Sequence, residues 1–183
     1  MATQTTTAEL VAQLYRTEGK AEIVGGEVVL MSPAGGVHSN AAGNLYVSLR
    51  DYGRRTKRGR AYPDNAGFLV DLPHRKSFCP DASFYAGPPP GPRFLAGAPL
   101  LAVEVRSPDD YGPAAEKALA AKRTDYFAAG TKVVLDVEAL REVWIHVYHA
   151  NAPETPATFR RGEVAQAEPE LPGWTFPVDD LLE

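Results

Sequence analysis

The sequence predicts a mixed α/β fold: a central sheet flanked by helices and preceded by an N-terminal helix and a β-hairpin. Three observations carry this expectation. The run Leu100 to Ser107 is too apolar for an edge strand facing water, so it belongs inside a sheet. Stretches with apolar residues at helical spacing are separated by short runs of strand character. The 183 residues, 44% apolar and 23% charged, match a globular composition and suffice to bury one core without disulfides or structural metals. One domain over 1–183 is expected, with 1–20 as a helical arm and 150–183 as a wrapping tail.

Each element has a local reason. Thr7 is a candidate N-cap, Glu9 an acid in the first turn, and Leu10, Val11 and Leu14 an apolar stripe, which predicts a short helix to Tyr15. Glu22 to Val24 and Glu27 to Met31 flank Gly25-Gly26, a pair able to take the positive φ angles of a hairpin turn. Ser32-Pro33 and Gly35-Gly36 break the pattern. Val37, Ala41, Leu45, Leu49 and Tyr52 then recur at helical spacing. Strands follow at Ala66 to Leu72, Phe78 to Tyr85 and Leu100 to Ser107, with a proline-rich loop over Gly87 to Pro92 between the last two. A helix from Gly112 to Ala129 has Pro113 in its first turn and Gly130 at its end. Lys132 to Val137 and Glu142 to His149 return as strands, Val143, Ile145 and Val147 alternating with polar residues.

Charge narrows the function classes. The formal net charge is −4, which argues against a surface that embraces nucleic acid all round. Yet Arg50 to Arg60 holds a local +5, including Arg54, Arg55, Lys57 and Arg58. That stripe is either a guide for a DNA backbone or a solvated helix end. No apolar stretch approaches the ~20 residues that span a bilayer. Residues Met1 to Thr7 lack the charged and apolar regions of a signal peptide, so a cytoplasmic protein without membrane contact is expected. Cys79 is the single cysteine, which excludes paired-thiolate zinc sites and internal disulfides.

Two acids stand out. Pro80-Asp81 opens one expected strand and Glu104 lies within another, where a buried carboxylate is costly unless paired, hydrogen-bonded or bound to metal. Two carboxylates with backbone oxygen form a hard-oxygen site for Mg2+ or Mn2+, able to activate water for phosphoryl chemistry. The plain alternative is that Asp81 caps a turn and Glu104 pairs with a lysine or arginine.

The segments Gly26-Glu27-Val28-Val29-Leu30-Met31-Ser32-Pro33, His38, Pro80-Asp81, Val103-Glu104-Val105-Arg106-Ser107-Pro108 and Lys122 to Gly130 resemble, in order and separation, the blocks of the Uma-type family of proposed restriction endonucleases. The resemblance runs from Ala21 to His149, and Leu171-Pro172-Gly173 also fits. It implies the PD-(D/E)XK superfamily, a restriction-endonuclease-like sheet, and metal-dependent phosphodiester cleavage. By it, Asp81 and Glu104 are the metal-binding acids, and Lys122 takes the place of a catalytic lysine that many superfamily members carry where Arg106 stands. Lysine can approach neutrality when buried and position a water, whereas arginine stays charged. Arg106 is therefore assigned to phosphate or to an ion pair, and Lys117 is the next lysine to consider. Glu27 and His38 also match; Glu27 could face the site as an extra acid, and His38 is a site residue or a hydrogen-bonding structural group.

The expected function is a Mg2+- or Mn2+-dependent endonuclease acting on DNA, with a homodimer or higher homo-oligomer expected for cutting both strands. The alternatives are a catalytically silent nucleic-acid-binding or interaction module of the same fold, and a hydrolase of small phosphoesters.

Overall fold

In the computed structural model, which describes residues 5–89 and 91–183, the first helix is capped one residue earlier than expected. Residues 1–4 of the expected arm and Pro90 of the proline-rich loop lie outside the described residues. Thr6 is the N-cap of α1 (Thr7–Arg16): its hydroxyl accepts from the Glu9 N–H while the Glu9 carboxylate accepts from the Thr6 N–H. Leu10 and Leu14 pack on Ala21 and Ile23 of β1 (Ala21–Val24). β1 pairs antiparallel with β2 (Glu27–Leu30), and Gly25 and Gly26 supply the turn with φ of 61° and 84°.

α2 (Gly36–Thr56) buries Ala41, Leu45, Leu49 and Tyr52 and ends at Lys57, which takes the left-handed conformation. Beyond it come β3 (Arg60–Tyr62), β4 (Phe68–Leu69), β5 (Ser77–Phe78), β6 (Ala82–Tyr85), β7 (Leu95–Ala96) and β8 (Leu101–Val105). α3 (Pro113–Ala128) crosses over to β9 (Val133–Glu138), and β10 (Trp144–His149), β11 (Ala152–Arg160), β12 (Val164–Gln166) and β13 (Thr175–Pro177) follow. The central sheet has the order β11-β10-β9-β8-β6-β3. Only β8 and β9 run parallel, as a helical crossover between them requires.

Alternation along the strands gives the sheet two different faces. Leu101, Val103 and Val105 pack with α2, whereas Ala102 joins Val134, Phe68, Phe78 and Tyr126 on the face under α3 and the small β5-β4-β7 sheet. Glu104 shares that second face with Ala102. Among the described residues no helix is long and apolar enough to cross a membrane.

The mixed architecture matches the expectation, with three local departures. The expected strand Phe78 to Tyr85 is split: Cys79, Pro80 and Asp81 separate β5 of the small sheet from β6 of the central one. Proline has no N–H for a ladder and, away from a sheet edge, interrupts the pairing. The strand expected at Ala66 to Leu72 shrinks to β4, while β3 and β7 have too few residues to show a period. The tail is more than a wrapping segment: β11 becomes an edge strand of the central sheet, a position that tolerates Pro153 and Pro156.

Past β11 the chain folds back, and Leu171, Trp174, Phe176, Val178 and Leu181 close the core over α2. The Trp174 indole N–H donates to the Ser48 hydroxyl of α2 at 3.1 Å. Trp174→Ala should therefore cost about 3–5 kcal/mol of stability, measured by urea unfolding. A loss under about 1 kcal/mol would mean that the tail is draped over a core already complete without it.

Candidate active site

The break at Pro80 builds the site. Just before β6, the Asp81 N–H donates to the Val103 carbonyl at 3.0 Å, and the Asp81 Oδ2 accepts the Val105 N–H at 2.7 Å. Asp81 thus bonds the backbone on both sides of Glu104, and its carboxylate satisfies a donor beyond the last paired residue of β6. Strand alternation sends the Val103 and Val105 side chains into the core and turns Glu104 to the opposite face. Both acids line one open cleft of about 740 Å³.

Cations hold the two acids in place. The Lys20 Nζ lies 2.5 Å from Asp81 Oδ1 and 2.8 Å from Asp64 Oδ1. His38, at the start of α2, brings its Nε2 to 3.2 Å from Asp81 Oδ2. Burial alone would raise the Asp81 carboxyl, but His38 and Lys20 outweigh it and hold the group well below the usual carboxylate range. His38 is buried, which lowers its pKa, yet Asp81 raises it overall.

Lys122 of α3 donates to Glu104 Oε2 at 2.8 Å and lies 3.1 Å from Glu22 Oε1. Tyr126, one helical turn on, donates its hydroxyl to Glu104 Oε1 at 2.6 Å while its ring stacks on Phe78. Burial pulls the Lys122 ammonium toward neutrality, but Glu104 and Glu22 more than reverse this, so it stays charged. Where a lysine near neutrality was expected, two carboxylates face this one in the metal-free protein. Burial, aided by the Asp81 and Glu22 charges, pushes Glu104 above its ordinary value against the pull of Lys122.

Behind Lys122 runs a chain of alternating charges. Glu22 is buried and accepts from Arg75 Nη1 at 2.5 Å and from the Cys79 N–H at 2.9 Å. Arg75 Nε donates to Asp125 Oδ2 at 2.8 Å, and Asp125 Oδ1 lies 2.7 Å from the exposed His74 ring. Burial pushes the Cys79 thiol up to about 12, so that sulfur supplies no thiolate at neutral pH.

Several expected residues lie elsewhere. Glu27 is exposed on β2 and does not line the cleft; the buried acid of the hairpin is Glu22, on the paired strand. Arg106 makes a bidentate pair with Asp136, both bonds 2.8 Å, and its remaining donors go to Glu116 and the Asp110 carbonyl. All five guanidinium donors are used, so of its two expected roles the structure shows the ion pair and leaves no hydrogen for phosphate. Lys117 is exposed. Arg54, Arg55, Lys57 and Arg58 are exposed at or just past the far end of α2, Arg54 about 24 Å from His38 along the helix axis at 1.5 Å per residue. Lys20, Asp64, Arg75, the Tyr126 hydroxyl and the acid role of Glu22 were not expected from the sequence.

Among the described residues no group of three or more His, Cys, Asp or Glu side chains is gathered as metal ligands. A cation here could draw on Asp81, Glu104 and water. Mg2+ accepts such a set, keeping several waters beside one or two carboxylates, whereas Zn2+ favours four ligands rich in nitrogen and sulfur. The plain alternative is also partly met, since Asp81 does cap backbone and Glu104 does pair with a lysine.

Comparison with known proteins agrees with this architecture. The model of the Uma2 family, described as "Putative restriction endonuclease", matches residues 8–179. The fold is similar to a crystal structure from Anabaena variabilis described as "a putative nuclease belonging to DUF820", with a TM-score of 0.73 and 15% identity over 94% of this chain and 97% of that one. No curated protein matches the sequence significantly.

The depressed Asp81 carboxyl has a measurable consequence. Its contribution to stability is fully present above the unfolded value of ~3.9 and is lost as pH falls through the lower folded value. Urea unfolding of the wild type and of Asp81→Asn should therefore show a gap at neutral pH that narrows below pH ~3. Parallel acid limbs would contradict the pairing of Asp81 with Lys20 and His38.

Proposed function

The chain belongs to the Uma2 family of restriction-endonuclease-like proteins, and from that premise we propose that it hydrolyses phosphodiester bonds of DNA with a Mg2+ or Mn2+ ion held by Asp81 and Glu104. One observation carries the reading: Asp81 bonds the backbone on either side of Glu104, and both carboxylates open onto one cleft beside Lys122. The residues suit a hard divalent cation. Asp81 Oδ1 and both Glu104 oxygens each have one hydrogen-bond partner, which leaves a lone pair on each. When bound, the ion supplies an activated water and offsets the charge of the phosphoryl transition state.

The rest falls to the chain itself. Lys122 is a charged donor rather than a base, so it orients the attacking water or a phosphoryl oxygen by donating to it. Tyr126 and the Val105 N–H keep the carboxylates from rotating. Arg54, Arg55, Lys57 and Arg58, at the other end of α2 from His38, would grip the backbone away from the scissile group. The acids Asp64, Asp81, Glu104, Asp109 and Asp110 of the cleft outnumber Lys20 and Lys122, with Arg106 already paired. DNA is repelled from such a cleft, so cation and DNA should bind cooperatively.

That acid excess also favours a second reading, a silent module that keeps the fold and binds nucleic acid or protein without cleavage. Plasmid nicking in Mg2+ or Mn2+ separates the two. The nuclease reading expects wild-type cleavage, none from Asp81→Asn with its circular dichroism unchanged, and a loss on the order of a hundredfold for Lys122→Met. Wild-type activity in Asp81→Asn would overturn the metal assignment, and an inert wild type would favour the silent module.

A further inference from the structure

Asp81 has one oxygen to offer a cation. Its Oδ2 already takes the Val105 N–H and His38, so Oδ1 is the oxygen open to the cleft, and the Lys20 ammonium sits on it at 2.5 Å. Lys20 belongs to no helix or strand; it follows Gly19 in the connection between α1 and β1. Its backbone is tied down, the carbonyl accepting the Met31 N–H at 2.9 Å, while its side chain reaches into the cleft. The same ammonium is 2.8 Å from Asp64, whose side chain is 45% exposed against 6% for Asp81. One lysine therefore spans a buried seat and an open one.

We infer that Lys20 is a resident counter-cation that competes with a divalent metal for Asp81 and withdraws onto Asp64 when the metal binds. The inference rests on the two-carboxylate metal reading. An ammonium and a divalent ion on one carboxylate oxygen repel at short range, so one of them must yield. Lys20 can yield without entering bulk water, because Asp64 keeps half of its bridge. In the metal-free protein the ammonium compensates a buried carboxylate that would otherwise be costly. Lys122 differs in kind: it bonds Glu104 and Glu22, both held by other donors, and has no exposed second seat.

Titration calorimetry of MnCl2 into the metal-stripped full-length chain tests this. Lys20→Met should bind Mn2+ roughly tenfold more tightly than the wild type, as expected for removal of one competing ion pair. Asp64→Asn should bind more weakly, since Lys20 is then confined to Asp81. In the Lys20→Met background the same Asp64→Asn change should matter less than about twofold, because Asp64 acts through Lys20. Should Lys20→Met fail to fold, Lys20→Arg keeps the test open: a planar fork grips a carboxylate better and should weaken Mn2+ binding. Unchanged or weaker binding in Lys20→Met would overturn the competition. So would an equal effect of Asp64→Asn in both backgrounds, which would make Asp64 a ligand. If no variant and no wild type binds Mn2+, the metal reading fails first and the competition with it, an outcome distinct from binding that ignores Lys20.

Discussion

The contact on which the site depends is the bond from the Val105 N–H to the Asp81 carboxylate. Where the pairing of β6 with β8 stops, next to Pro80, the Val105 N–H needs a partner other than a ladder carbonyl. The side chain of Asp81 is that partner, so the acid is fixed relative to Glu104 by the sheet rather than by a loop. A site placed on ladder geometry is held more tightly than one placed on flexible connections. The interruption of one strand is therefore what gives the cleft its defined floor.

Four acids close together demand compensation, and the protein supplies it from four separate elements. Lys20 comes from the connection before β1, His38 from the start of α2, Arg75 from the loop before β5, and Lys122 from α3. Each of the four, Glu22, Asp81, Glu104 and Asp125, has at least one cation and one further donor, as low-dielectric surroundings require. The result is a network in which Lys122 faces two carboxylates in the metal-free protein and Arg106, just past the end of β8, is committed to Asp136.

Much of the architecture was legible in the sequence. The hairpin around Gly25-Gly26, the helix from Pro113 and the buried run at Leu101 to Val105 stand where period and turn chemistry put them. Glu104 was visible as an acid inside an apolar run, and Glu22 could have been found by the same rule in Ala21-Glu22-Ile23-Val24, all but the last of them buried. Glu27 was singled out by its match to the family block, but that end of the hairpin faces solvent. Lys20, Asp64 and Arg75 left no periodic signal; they lie outside helices and strands and meet the acids only through the tertiary fold. β11 was hidden by Pro153 and Pro156, which an edge strand accepts and an interior strand does not.

The central claim is that Asp81 and Glu104 together hold a divalent cation. Anomalous diffraction from a crystal soaked in Mn2+ tests it most directly. The account predicts a peak between Asp81 Oδ1 and the Glu104 carboxylate, with the Lys20 ammonium moved off Asp81. No peak there, with Lys20 and Lys122 still bonded to the two acids, would contradict it.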